Sequence, residues 1–143
     1  MIRRDPFSGE PGASAFFQLL AAEEERSFQV QRGFGVLRVE ARRGIETARE
    51  LVTFYRTVAG ALRRTDRVQP IGGRALAAVL ADTEWQQAEA AGGRVREAIA
   101  AHAHRWKPAV GWACTRPGEQ TWQDAWLSAG LLLVADGIVP AAA

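Results

Sequence analysis

Arg63 and Asp66 stand three residues apart as R-x-x-D, six residues ahead of the pair Gly72-Gly73. Arginine offers a rigid fork of N–H donors and ionised aspartate only acceptors, so the pair can serve a ligand that carries both kinds of group. The same residues have an ordinary structural use: Arg63 and Arg64 oppose the negative end of a helix dipole, and Asp66 makes a turn or cap. A second set of cations, Arg38, Arg42, Arg43 and Arg74, forms either an anion site or solvated surface, and charged residues near strand ends are usually exposed. His102 and His104 lack acidic or cysteine companions, which argues against catalysis or metal binding there. Cys114 falls in a strand pattern and is expected to be buried and inert. Trp85, Trp112, Trp122 and Trp126 are expected in the core, whereas Trp106, in a loop over residues 102–108, is expected to be an exposed partner contact.

These residues need elements to hold them. Ser14 is a candidate cap for a helix running to about Ser27, with Phe16, Leu19 and Leu20 inward. Residues 33–40, GFGVLRVE, alternate as a strand does. From Glu46 to about Arg64, the residues Ala48, Leu51, Val52, Tyr55, Val58, Ala59 and Leu62 recur at helical spacing in one stripe. Two short apolar runs, 68–71 and 75–80, flank Gly72-Gly73, which predicts a β-hairpin whose turn uses positive φ at glycine. A helix over about 84–102 follows, and Gly92-Gly93 inside it predicts a close packing contact or a local irregularity. Residues 109–115 form a strand ended by Arg116-Pro117-Gly118, a last helix spans about 121–134, and Ile138-Val139 form a short edge strand. The pattern implies an α+β domain over 1–143, with one central, mostly antiparallel sheet of about five strands and helices packed on it.

Composition narrows the function further. At 143 residues the chain is the size of one ordinary domain, with 48% apolar and 24% charged residues. A net charge of +2, with arginines spread over several segments, gives no polybasic footprint and no expectation of nucleic-acid binding. One cysteine and two histidines exclude an internal disulfide and zinc-ligand spacing. No run approaches a membrane span, so membrane insertion is not expected and the cytoplasm is the expected compartment.

The order of short motifs resembles the GGDEF domain, the nucleotidyl-cyclase-like fold of bacterial diguanylate cyclases, over nearly the whole chain. Asp5-Pro6-Phe7-Ser8-Gly9-Glu10-Pro11 resembles that family's opening D-x-L-T-G-L-P, and Val36-Leu37-Arg38-Val39-Glu40 its first strand, which usually ends I-D-x-D. Arg63-Arg64-Thr65-Asp66 matches its R-x-x-D motif, and Gly72-Gly73-Arg74-Ala75-Leu76 stands where GGDEF would. Ala109-Val110-Gly111-Trp112-Ala113 resembles its S-I-G-V-A strand, and Leu127-Ser128-Ala129-Gly130 the L-x-x-A-D of its last helix.

The departures from the family decide the expected function. Two carboxylates that hold the divalent metal in active cyclases align with Arg38 and Arg74, and an arginine has no lone pair for a cation. The segment N-D-x-x-G-H-x-x-G-D, which contacts guanine in the family, is absent, so the resemblance implies a degenerate domain that is not an enzyme, with no cofactor. The family's R-x-x-D is an inhibitory-type site for cyclic di-GMP, completed by an arginine from the next helix, and Arg94 stands in that register. Arg63 would donate to guanine O6 and N7 or to phosphate, Asp66 would accept from guanine N1 and N2, and Arg94 would face a phosphate. The implied role is a cyclic di-GMP receptor that regulates a partner protein of a synthase or secretion system, exopolysaccharide synthesis being the common setting. A homodimer bridged by intercalated cyclic di-GMP is the assembly that goes with it. The alternative is a ligand-independent dimerisation or docking scaffold with both nucleotide sites lost.

Overall fold

The computed structural model describes residues 13–102 and 106–138. In chain order the elements are α1 (Ala13–Val30), β1 (Phe34–Ala41), α2 (Ala48–Gly60), β2 (Arg67–Pro70), β3 (Ala75–Leu80), α3 (Trp85–His102), β4 (Pro108–Thr115) and α4 (Trp122–Ile138). The expected α+β architecture is present, with a sheet of four strands rather than about five. Their order is β2-β3-β1-β4, and every neighbouring pair is antiparallel. Ile138, expected in an edge strand, is instead the last residue of α4. Val139, His104 and the Asp5 to Pro11 motif lie outside the described residues.

Strand alternation sends successive side chains to opposite faces, and both faces are covered. Leu37, Val39, Leu76, Ala78 and Leu80 pack with Phe54 and Val58 of α2 and Val95 and Ile99 of α3. Phe34, Val36, Ala77, Val79 and Ala113 pack with Phe16 and Leu20 of α1 and Trp126 and Ala129 of α4. Central strands covered on both sides read as nearly continuous apolar runs, as β3, ALAAVL, does. No helix among the described residues is long and apolar enough to cross a membrane.

Local chemistry moved several boundaries. Ser14 lies inside the first turn of α1 rather than capping it. Thr47 caps α2 by accepting the Glu50 N–H at 3.1 Å. That helix stops at Gly60, short of Arg64, because the next residues form the turn described below. The hairpin loop spans residues 71–74, closed by the Ile71 N–H to Ala75 carbonyl bond at 2.9 Å. A connection this long escapes the tight two-residue geometry, and the glycines with positive φ among the described residues are Gly44 and Gly118, not Gly72 or Gly73.

The tryptophans correct two expectations. Trp106 is 1% exposed, edge-on to Phe54 at 5.2 Å and stacked near His102 at 5.5 Å. So large an apolar ring gains more by filling the space beneath α2 and α3 than by facing water. Trp85, expected in the core, is 51% exposed at the first turn of α3, beyond the part of that helix which the sheet covers.

Of the two possibilities for the glycine pair in α3, the close packing contact is present at Gly92, and the helix runs through both glycines without a break. A Cβ on Gly92 would lie 2.8 Å from the Trp112 ring, whereas one on Gly93 would meet nothing within 4 Å. At Gly111 of β4 a Cβ would lie 2.1 Å from the Ala129 carbonyl oxygen, so α4 rests directly on the strand backbone. Gly93→Ala should therefore stabilise the protein by about 1 kcal/mol, by helix propensity alone. Gly111→Ala should destabilise it by about 2 kcal/mol or more, because the backbone of α4 must lift. Urea denaturation of the two variants beside the parent checks both signs.

Candidate functional site

Beyond the end of α2 the chain turns so that Asp66 faces back toward Arg63. The Asp66 carboxylate is 1% exposed and accepts three hydrogen bonds from that one residue: the backbone N–H at 2.9 Å, Nε at 3.3 Å and Nη2 at 3.0 Å. The turn role open to Asp66 is thus realised, with the Asp66 N–H donating to the Arg63 carbonyl at 3.0 Å. Arg63 and Arg64 do not serve as charges in a helix's last turn, since α2 has ended. Arg63 reaches across to the loop after β3, where Nη2 also donates to the Ala81 carbonyl and to Thr83 Oγ1, each at 2.8 Å. Its side chain stays 43% exposed, and Nη1 has no hydrogen-bond partner among the described residues.

Arg94 joins this pair from α3. Its Nε donates to the carbonyl of Ala61, the residue that caps the C-terminus of α2, at 3.1 Å. That anchor sits at the negative end of a helix dipole, where a cation is favoured. Both terminal nitrogens of Arg94 stay without a hydrogen-bond partner among the described residues. Arg63, Asp66 and Arg94 line one cleft of about 160 Å³ with Thr83 and Gln87. The structure therefore brings all three sequence-predicted residues together, and gives them unequal parts. Asp66 holds Arg63 and is closed to solvent, while Arg63 and Arg94 direct free donors outward.

Of the other arginines, Arg42, Arg43 and Arg74 are exposed, as the solvated-surface reading expected, whereas Arg38 is partly buried. Arg38 projects from β1 onto α4, with Cζ 3.9 Å from the centre of the Trp126 ring and Nη1 donating to the Trp126 carbonyl at 3.3 Å. A Cβ on Gly130 would lie 2.3 Å from that Nη1, so the glycine supplies the guanidinium's berth. Burial pushes the Arg38 pKa down, opposed by the Glu40 charge, and its Nε is buried without a partner. Arg42 lies against Gly137 in the last turn of α4, and Arg74, exposed at the hairpin, donates to the Arg42 carbonyl at 3.3 Å. A hard divalent cation needs oxygen ligands, and this corner of the sheet offers guanidinium groups. Among the described residues no three His, Cys, Asp or Glu side chains gather as a metal site.

A larger cavity of about 790 Å³ opens at the end of the sheet away from the hairpin, where β1 starts and β3 and β4 finish. It shares Thr83 and Gln87 with the Arg63 cleft, and Trp85 and Cys114 line it. Cys114 is half-buried rather than fully enclosed, and burial, with the Glu84 charge adding, pushes its thiol up to about 11. Sequence reasoning missed this cavity because the loops that wall it, 81–84 and 115–120, carry no motif. The one available signal was position: Trp85 comes two residues after Asp82-Thr83, and so falls at the helix end rather than along its middle.

No protein-family model and no curated protein matches the chain. Solved structures do. The chain superposes on the diguanylate cyclase SiaD of Pseudomonas aeruginosa, solved in complex with its activator SiaC, at TM-score 0.74 and 23% identity. That match covers 93% of this chain and 57% of the other, so this chain spans little more than half of it. The FimX GGDEF domain from Pseudomonas aeruginosa matches at TM-score 0.68 and 16% identity, over 94% of this chain and 93% of that one. The GGDEF domain of DgcB from Caulobacter crescentus, in complex with c-di-GMP, matches at TM-score 0.65 and 13% identity, over 94% and 92%. The chain has the GGDEF-like fold, as its motif order implied.

Stability measurements separate the residues that hold the fold from those that do not. Removing either partner of the clamp, by Asp66→Ala or Arg63→Ala, should cost about 3 kcal/mol, while Arg94→Ala should stay within about 0.5 kcal/mol of the parent. On the opposite side of the fold, Arg38→Met should leave stability unchanged or raise it, and Arg38→Asp should cost about 3 kcal/mol by burying an unpaired carboxylate against Trp126. Denaturant titration reads all five variants.

Proposed function

We propose that this chain is a cyclic di-GMP receptor built on the GGDEF-like fold, without diguanylate cyclase chemistry, whose ligand alters its contacts with a partner protein. The observation that carries the reading is the convergence of Arg63 and Arg94 on one cleft with free donors on both. Arg63 presents its Nη1 edge to guanine O6 and N7 or to a phosphate, and Arg94 meets a phosphate with its terminal nitrogens. Asp66 acts as a positioning residue. Because its carboxylate already holds the guanidinium, Arg63 does not have to be ordered when ligand arrives, which removes part of the entropic cost of binding.

Two neighbours support this reading, since the DgcB domain was solved with c-di-GMP and SiaD with an activator protein. The arginines at 38 and 74 argue in the same direction. Metal-assisted attack by a ribose hydroxyl needs the metal's charge at the transferring phosphate, and Arg38, laid on Trp126, neither binds a cation nor faces a substrate. Residues 71–74 then serve as a connection between two strands.

Isothermal titration with cyclic di-GMP at physiological salt tests the site. Saturable binding should weaken about tenfold or more in Arg94→Ala, a variant expected to fold normally, from the loss of a charge-assisted contact. Incubation with GTP and magnesium or manganese should yield no cyclic product. An absence of saturable heat up to high micromolar ligand would leave the docking-scaffold reading in place, and turnover above blank would overturn the reading of Arg38 and Arg74.

A further inference from the structure

Cyclic di-GMP is a macrocycle carrying two guanines and two phosphates, and the 160 Å³ cleft at Arg63 is far below the roughly 300–1,000 Å³ usual for small-molecule sites. One guanine edge or one phosphate fills it. The rest of the ligand must lie over adjoining surface, and the 790 Å³ cavity adjoins the cleft through Thr83 and Gln87. The chemistry of that cavity is that of a guanine site. Trp85 offers a ring 51% exposed, suited to stacking on a base. Glu84 and Arg116 line the same cavity, and neither makes a side-chain hydrogen bond among the described residues. A carboxylate accepts from guanine N1 and N2, and an arginine fork donates to O6 and N7. Adenine offers no such donor pair beside an acceptor, so it would bring its N1 lone pair against the carboxylate. Asp82, also on the cavity wall, is already held by Arg26 through two 3.3 Å bonds, which hold its carboxyl below the usual range.

We infer that the second guanine of cyclic di-GMP stacks on Trp85 in the cavity at the end of the sheet, with Glu84 and Arg116 reading its edge. The inference rests on the Arg63 cleft holding the first half of the ligand. It makes Trp85 a specificity-determining binding residue, and it explains why a large aromatic ring stands uncovered beside a cleft too small for the whole ligand.

Trp85 is the most exposed tryptophan of the chain, so its fluorescence reports on the cavity directly. Titration of the parent with cyclic di-GMP should quench tryptophan emission with the same affinity that calorimetry gives, and cyclic di-AMP should not compete. Trp85→Leu should weaken calorimetric binding about tenfold or more and abolish the quench, with an unchanged melting temperature for the free protein. Trp85→Phe should keep most of the affinity while losing the signal. If Arg94→Ala weakens binding and Trp85→Leu does not, the cleft stands and the second-base site is wrong. If the parent binds no cyclic di-GMP, or if neither substitution affects binding, both readings fall.

Discussion

The carboxylate of Asp66, closed to solvent and receiving three hydrogen bonds from Arg63, is the constraint on which the candidate site depends. A carboxylate taken out of water must be compensated, and here the compensation comes from a residue three positions away in the same turn. That requirement stops α2 at Gly60, turns the chain toward β2, and pins one face of the Arg63 guanidinium inward. The same guanidinium then ties this loop to the one after β3, through the Ala81 carbonyl and Thr83. Its remaining edge stays in water. One guanidinium thus holds the fold with one side and keeps free donors on the other, and of the two arginines on the cleft only Arg94, anchored by a single bond to Ala61, can be changed without touching the fold.

On the other side of the sheet, Arg38 of β1 and Arg42 just after it form a second complementary set with α4. Arg38 and Arg42 lie where Gly130 and Gly137 leave room, so the helix and the strand accommodate each other residue by residue. Attraction between the guanidinium and the Trp126 ring offsets part of the desolvation that lowers the Arg38 pKa. Arg38 thereby serves as packing between sheet and helix. The two ends of the sheet have correspondingly different characters. The hairpin end carries arginines tied to backbone carbonyls, and the far end carries two connected cavities with free donors, free acceptors and an uncovered ring.

Most of the fold was legible because it follows from periodicity. The alternation in β1, the stripe of α2 and the spacing of R-x-x-D from Gly72-Gly73 are set by local geometry that side-chain order records directly. Arg94 was found by register, and its convergence with Arg63 followed. Other features depend on tertiary contacts that leave no periodic trace. Trp106 is buried because it packs into the core formed with α2 and α3, and Trp85 is exposed because it falls just past the covered part of α3. The fate of Gly72-Gly73 turned on loop length, which composition does not fix, and the extension of α4 through Ile138 continued a helix where a short edge strand had been expected. The division of labour between Asp66 and Arg63 was invisible for a related reason: both the turn and the ligand reading use the same residue types at the same spacing.

The most direct test of the account follows arginine side chains one at a time. In ¹⁵N-edited NMR spectra recorded during titration with cyclic di-GMP, the Nε–Hε resonances of Arg63 and Arg94, assigned from single substitutions, should shift saturably and together. The Arg38 resonance, laid on Trp126 across the sheet, should stay in place. Shifts at Arg38 or Arg74 with Arg63 and Arg94 unmoved would contradict the account, since the ligand would then be seated at the hairpin end of the sheet.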